Sequence, residues 1–308
     1  MDFIIFILSM GGLIYGADFI IKESERIALH FDIPHFVIGA TLIAFGTSLP
    51  EMAASISANA KDAGDIAVSN VIGSNIFNIS LVLAVVFLIS KKIEPSRDIF
   101  AKDSTWAIMP IFVFILMGID GVISAFDGVI LLVLMAAYIL FLAKDSNELE
   151  GDIDTDLIKE KFAWGRTSLF LGVGFALVIF GADFAIDSAT NIARGFGVSE
   201  WIIGMFLISF GTSLPELIVS IVAAKNNNAD MSIGNIIGSN VANITIVLGS
   251  ASLVAPLSID LSEKVFDVTA LLFISLALVF ITANKMYNKA SGVILFSFLL
   301  LVIQNSFF

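Results

Sequence analysis

The chain has 308 residues, 58% of them apolar and 14% charged, with a formal net charge of −12 and no cysteine. Charged residues make up about a quarter of an ordinary soluble protein, so this composition describes a polytopic membrane protein. The missing cysteines exclude disulfides, thiolate metal sites and iron–sulfur clusters, and the negative balance argues against nucleic acid as a partner.

A membrane span needs roughly 20 mostly apolar residues. Ten stretches qualify, near 3–21, 35–58, 66–90, 104–119, 126–143, 167–187, 200–224, 231–255, 265–283 and 290–304. The first follows Met1-Asp2-Phe3 without a basic segment and is read as a retained helix, not a cleaved signal. His30 and His35 fall at a loop edge and are read as interfacial polar residues, since zinc takes more ligands than two histidines supply. With the N-terminus outside, 13 of the 16 Lys and Arg lie in inside loops, and only Lys61, Arg194 and Lys264 lie outside. The positive-inside rule therefore places both termini on the outer side of the cell membrane.

The second span carries Gly46-Thr47-Ser48-Leu49-Pro50-Glu51, and the seventh repeats it as Gly211-Thr212-Ser213-Leu214-Pro215-Glu216. Proline lacks an N–H and crowds the carbonyl four residues back, so each helix should open near Gly46 and Gly211. In the first copy the carbonyls of Ala44, Phe45, Gly46 and Thr47 are expected to lose their donors, which hydrocarbon tolerates only beside a cavity. Proline suits the first position of the next half-helix, whose positive end favours an ionised Glu51 or Glu216.

The third and eighth spans answer with Gly73-Ser74-Asn75-Ile76-Phe77-Asn78 and Gly238-Ser239-Asn240-Val241-Ala242-Asn243. Ser74 and Asn78, like Ser239 and Asn243, are four apart and share a helix face. Gly73 and Gly238 would allow close approach of a partner helix. Asn70 and Asn235 are read as bonding across helices. Asp18 and Asp183, near the ends of the first and sixth spans, are read as structural acids.

All these pairs are 165 apart, and residues 37–84 share 24 of 48 identities with 202–249 without a gap. The chain is a duplication: 1–143 and 166–308, joined by the acidic linker 144–165. Five spans in each half is an odd number, so the halves must face opposite ways, an architecture recurrent in transporters. The linker's Asp152-Ile153-Asp154-Thr155-Asp156 begins like a calcium loop, but Leu157 stands where such a loop needs glycine and Ala163 where it needs its bidentate acid. It is read as a solvated connection.

Two carboxylates, hydroxyls, amides and freed carbonyls form an oxygen-only ligand set. Such a set suits hard cations, and calcium takes six to eight oxygens; without nitrogen or sulfur ligands, zinc, copper and nickel are disfavoured. Intramembrane carboxylates are functional groups by default.

The duplicated blocks closely resemble the alpha repeats of the sodium/calcium exchangers of the cation/calcium exchanger superfamily, in their prokaryotic form. The resemblance implies an all-α membrane protein of ten helices in two inverted repeats, with the second and seventh helices broken. It implies that Glu51 and Glu216 are the central ligands of calcium and sodium. Thr47 and Thr212 would offer carbonyl and hydroxyl oxygens, while Ser48, Ser74, Ser213 and Ser239, with the carbonyls of Ala44 and Ser209, would complete flanking sodium sites. Asn78 and Asn243 form a near-symmetric pair of amides. Potassium-dependent relatives carry aspartate where Asn243 stands, which speaks against potassium coupling here. The transported ions would be calcium and sodium, with no cofactor, no obligatory protein partner and no enzymatic activity. The rivals are a proton/calcium exchanger on the same fold, a channel, and an intramembrane aspartyl protease built on Asp18 and Asp183, which lacks that class's flanking signatures.

Overall fold

A computed structural model describes the chain except residues 62, 91–92, 146–161, 197–208, 263 and 308. The central part of the acidic linker and the first part of the 200–224 stretch therefore lie outside the described residues. The described chain is helical. Its elements are α1 (Asp2–Phe31), α2 (His35–Thr47), α3 (Leu49–Asn59), α4 (Gly64–Ile89), α5 (Ile99–Asp120), α6 (Ala125–Asp145), α7 (Trp164–Gly195), α8 (Leu214–Lys225), α9 (Ala229–Val254), α10 (Val265–Ala283) and α11 (Lys289–Phe307). A single helical turn, Ser209–Gly211, precedes α8. One two-residue antiparallel pair, β1 (Val122–Ile123) with β2 (Leu257–Ser258), ties the α5–α6 connection to the segment after α9.

Among the described residues, seven helices are long and apolar enough to cross a membrane, and α2 with α3 makes an eighth if that bent pair counts as one span; α11 holds a shorter apolar helix, Lys289–Asn305. The first and sixth spans run further than their apolar stretches. At ~1.5 Å per residue, the 30 residues of α1 and 32 of α7 exceed a ~30 Å hydrocarbon core. In α1 the extension is polar and held by its own ion pairs, Lys22 with Asp18 at 2.6 Å and Arg26 with Glu23 at 2.8 Å.

α1 and α7 pack along each other through glycine. A Cβ on Gly16 would stand 2.8 Å from the Gly174 carbonyl oxygen, and one on Gly174 would stand 2.9 Å from that of Gly16. Leu13, Ile20 and Val178 close this contact, while Ile7, Leu8 and Phe180 face outward, as a lipid-facing surface requires.

α4 and α9 form the centre of the molecule. Their apolar windows are 67% and 78% buried, against 28% for α1 and 39% for α10. Most of their surface is covered by other helices, so polar residues such as Asn75, Asn78, Ser239 and Asn243 sit in the interior. These two helices carry the second polar block of each copy.

Candidate cation site

The first polar block breaks where its proline requires. α2 and α3 meet at 44°, and the residue between them, Ser48, has φ −84° and ψ 5°. Ser213, its counterpart before α8, has φ −86° and ψ 4°. Pro50 and Pro215 occupy the opening positions of α3 and α8, and Glu51 and Glu216 the first turns, where the helix dipole favours negative charge.

One expected ligand is not freed. The Ala44 carbonyl keeps a donor, the Ser48 N–H at 3.0 Å, with the Thr47 hydroxyl 3.3 Å away. Proline removes the donor to the residue four before it, so Pro50 strips Gly46 and leaves Ala44 paired. For Ser209 only the backbone turn is described, and its side chain lies outside the described residues.

Glu51 and Glu216 are wholly buried and close enough to feel each other's charge. Glu216 faces Thr47, Ser48 and Ser239; of the three, Ser48 reaches hydrogen-bond geometry, its hydroxyl donating to Oε1 at 3.1 Å. Ser48 stands where an N-cap residue would bond its own helix, yet it makes no such bond. Its hydroxyl is directed to the other copy's carboxylate. Thr47 shares its hydroxyl between the Ile43 and Ala44 carbonyls and Asn235 Oδ1, at 3.2–3.3 Å.

The second block lies deep in the bundle. Ser74, Ser239, Asn78 and Asn243 are each at most 2% exposed, and a π-helical turn begins at Asn78 in α4 and at Asn243 in α9. Such turns recur at functional sites. Gly238 permits the crossing of α2 over α9, since a Cβ there would stand 2.4 Å from the Ala40 carbonyl oxygen. A Cβ on Gly73 would meet no described atom of a neighbouring helix within 4 Å, so the close approach expected there is not seen among the described residues. Asn70 and Asn235 donate to Ser55 and Ser220 on the neighbouring helices, at 3.1 and 3.0 Å.

Buried polar atoms are nearly always hydrogen-bonded. Fifteen described side-chain atoms are not, and nine of them belong to the two blocks: both oxygens of Glu51, Oε2 of Glu216, the hydroxyls of Ser74, Thr212, Ser213 and Ser239, and Oδ1 of Asn78 and Asn243. Every one is an oxygen. Their concentration in the duplicated blocks leaves an interior of unmatched electron density that a desolvated cation would satisfy. A cavity of ≈ 630 Å³ touches this interior at Ser74 and Thr212, and Asp65, Lys264 and Asp267 also line it.

The other polar residues singled out in the sequence make local contacts. Asp18 pairs with Lys22, His30 stacks on Phe162 at 4.1 Å, and Asp183 lies beside Asp187. Two features were not anticipated from the sequence. Arg97 and Asp103 form a buried two-pronged ion pair, at 2.6 and 2.9 Å, with the guanidinium 4.6 Å over the Phe36 ring. Asn75 and Asn240 also lie among the site's side chains; their recurrence at the same offset of 165 was the available signal.

A family model described as sodium/calcium exchanger protein matches residues 1–144 and 167–308. An uncharacterised membrane protein of Methanocaldococcus jannaschii is 37% identical over 301 residues, covering 97% of this chain and 96% of that protein. The sodium/calcium exchanger MaX1 of Methanosarcina acetivorans is 28% identical, covering 97% and 96%. Among solved structures, the sodium–calcium exchanger NCX_Mj, soaked without Na+ and Ca2+, superposes with a TM-score of 0.84 at 34% identity over 99% of this chain and 98% of that one.

Proposed function

Because the chain belongs to the sodium/calcium exchanger protein family, an ion transporter family and not an enzyme family, we propose that it expels calcium in exchange for entering sodium, by alternating access to one overlapping set of sites. The observation that carries this reading is the cluster of nine buried oxygens without donors around two facing carboxylates. Calcium is neutralised by Glu51 and Glu216, with Thr47 and Thr212 beside it. Sodium occupies the same carboxylates and the flanking oxygens of Ser48, Ser74, Ser213, Ser239 and Ser209, with the amides Asn78 and Asn243 between; the Ala44 carbonyl, already holding the Ser48 N–H, would join them only through its second lone pair. Antiport needs no further chemistry: an empty, doubly negative site is costly to carry across a low-dielectric barrier, so only loaded forms interconvert.

The architecture we assign is ten spans in two inverted halves, 1–143 and 166–308, with helices 2 and 7 broken and both termini outside the plasma membrane. The recurrence of one break geometry at Ser48 and Ser213 supports the pairing of the halves. The deciding experiment is calcium flux in proteoliposomes under separately imposed sodium, potassium and proton gradients. Sodium alone is expected to drive it. Flux driven by protons without sodium would assign the chain to proton/calcium exchange, and flux independent of any counter-ion would make it a channel.

A further inference from the structure

Four asparagines interlock where α4 crosses α9. Asn75 Nδ2 donates to the Asn240 backbone carbonyl at 3.1 Å, and Asn240 Nδ2 returns a bond to the Asn75 carbonyl at 3.3 Å. Asn243 Nδ2 donates to Asn75 Oδ1, and Asn78 Nδ2 to Asn240 Oδ1, each at 3.0 Å. The orientation of all four amides follows from the two backbone carbonyls. A carbonyl only accepts, so Asn75 and Asn240 must each turn their nitrogen towards it. Their side-chain oxygens then point the other way, where only a donor is welcome. Asn78 and Asn243 must therefore present nitrogen to the clasp, which turns their own oxygens away from it. Those two oxygens are the buried, unpartnered Oδ1 atoms of the site. The backbone is fixed as well, because the N–H groups of Asn78 and Asn243, where the π-helical turns begin, bond back to the Asn75 and Asn240 carbonyls.

We infer that Asn75 and Asn240 are positioning residues of the cation site. By holding the amides of Asn243 and Asn78, they ensure that oxygen, never nitrogen, faces the ion. This rests on the exchanger reading above. An amide's oxygen and nitrogen are nearly equal in size, so packing alone does not choose between them. Rotating either amide by half a turn would exchange an attractive oxygen for a repulsive NH2 group. A carboxylate has no wrong end, so an aspartate at 78 or 243 needs no such control. The clasp is what lets this site use amides as cation ligands.

The test is a double-mutant cycle on the full chain, read by calorimetric titration of Ca2+ onto purified protein and by flux in proteoliposomes. In the wild-type background, Asn75→Ala is expected to weaken calcium binding about tenfold and to raise the calcium concentration for half-maximal flux by about the same factor. In an Asn243→Asp background the same Asn75→Ala change is expected to cost less than about twofold, since nothing remains to be oriented. Asn240→Ala with Asn78→Asp repeats the cycle through the other copy and serves if Asn75→Ala does not fold. Equal penalties in both backgrounds, or unchanged binding in the single variant, would overturn the positioning role. Wild-type protein that binds no calcium in the titration would instead overturn the exchanger reading, and the positioning role would fall with it.

Discussion

Burying a carboxylate without a donor is among the most expensive things a side chain does in a membrane interior, and both oxygens of Glu51 are in that position. Each glutamate supplies one of two charges opposing a divalent ion, so Glu51→Gln and Glu216→Gln are each expected to abolish or severely cut exchange in protein that still folds. Loss of one charge-assisted ligand corresponds to at least about tenfold in calcium affinity; titration against wild type checks it, and near-normal transport by either variant would remove the site assignment. Asp103 carries a different kind of charge. It pairs with Arg97 in the interior, the two side chains 0% and 1% exposed, so Asp103→Asn takes the negative charge out of a buried pair and is expected to cost about 3–5 kcal/mol of stability. A thermal melt in detergent, with calcium binding per folded molecule unchanged, would show that the loss is structural. The glutamates could be found in the sequence because a charge beside proline in an apolar run has few explanations. Arg97 looked like any inside-loop cation, because its burial depends on Phe36, from a helix distant in sequence.

At the level of elements, proline and glycine dictate most of what happens. The sequence places the break correctly, since the missing N–H of Pro50 and Pro215 is a covalent fact; the Ala44 carbonyl, expected to be freed with its neighbours, keeps the Ser48 N–H, because Pro50 takes the donor from Gly46 and from no earlier residue. The π-helical turns at Asn78 and Asn243 left no mark in composition or period, and neither did the direction in which the Ser48 hydroxyl turns. Gly238 offers a sharp test of the α2–α9 crossing. A Cβ there would press on the backbone of Ala40 at 2.4–2.7 Å, so Gly238→Ala is expected to destabilise by about 1–3 kcal/mol or more through overpacking. Gly172→Ala, in the open along α7, is expected to be neutral or slightly stabilising. Melting temperatures of the two variants against wild type decide the matter, and equal effects would contradict the crossing.

For the whole molecule, the 13-to-3 division of basic residues is the basis for orientation. A single cysteine replacing Ser306 is expected to react with an impermeant reagent from outside, and one replacing Ser146 from inside only; outside labelling at 146 in sealed cells would invert the assignment. Charge also governs coupling. In the exchange proposed above, Glu51 and Glu216 together carry −2 when ionised and two returning sodium ions per calcium would make it electroneutral; we propose that the flanking oxygens take more than two. Each net charge then couples to the membrane potential at about 2.3 kcal/mol per 100 mV. Efflux from vesicles held at several potentials with valinomycin is expected to quicken as the inside becomes negative, and efflux indifferent to voltage would exclude the third ion.

The bond from Ser48 to Glu216 spans the duplication: its donor belongs to one copy and its acceptor to the other. The clasp between α4 and α9 is shared in the same way. In the site proposed above neither half supplies all the ligands, so a half-length chain would hold an ion only by associating with a second molecule of itself. One polypeptide carrying both copies makes that pairing independent of protein concentration, and leaves each copy free to vary on its own side of the shared site.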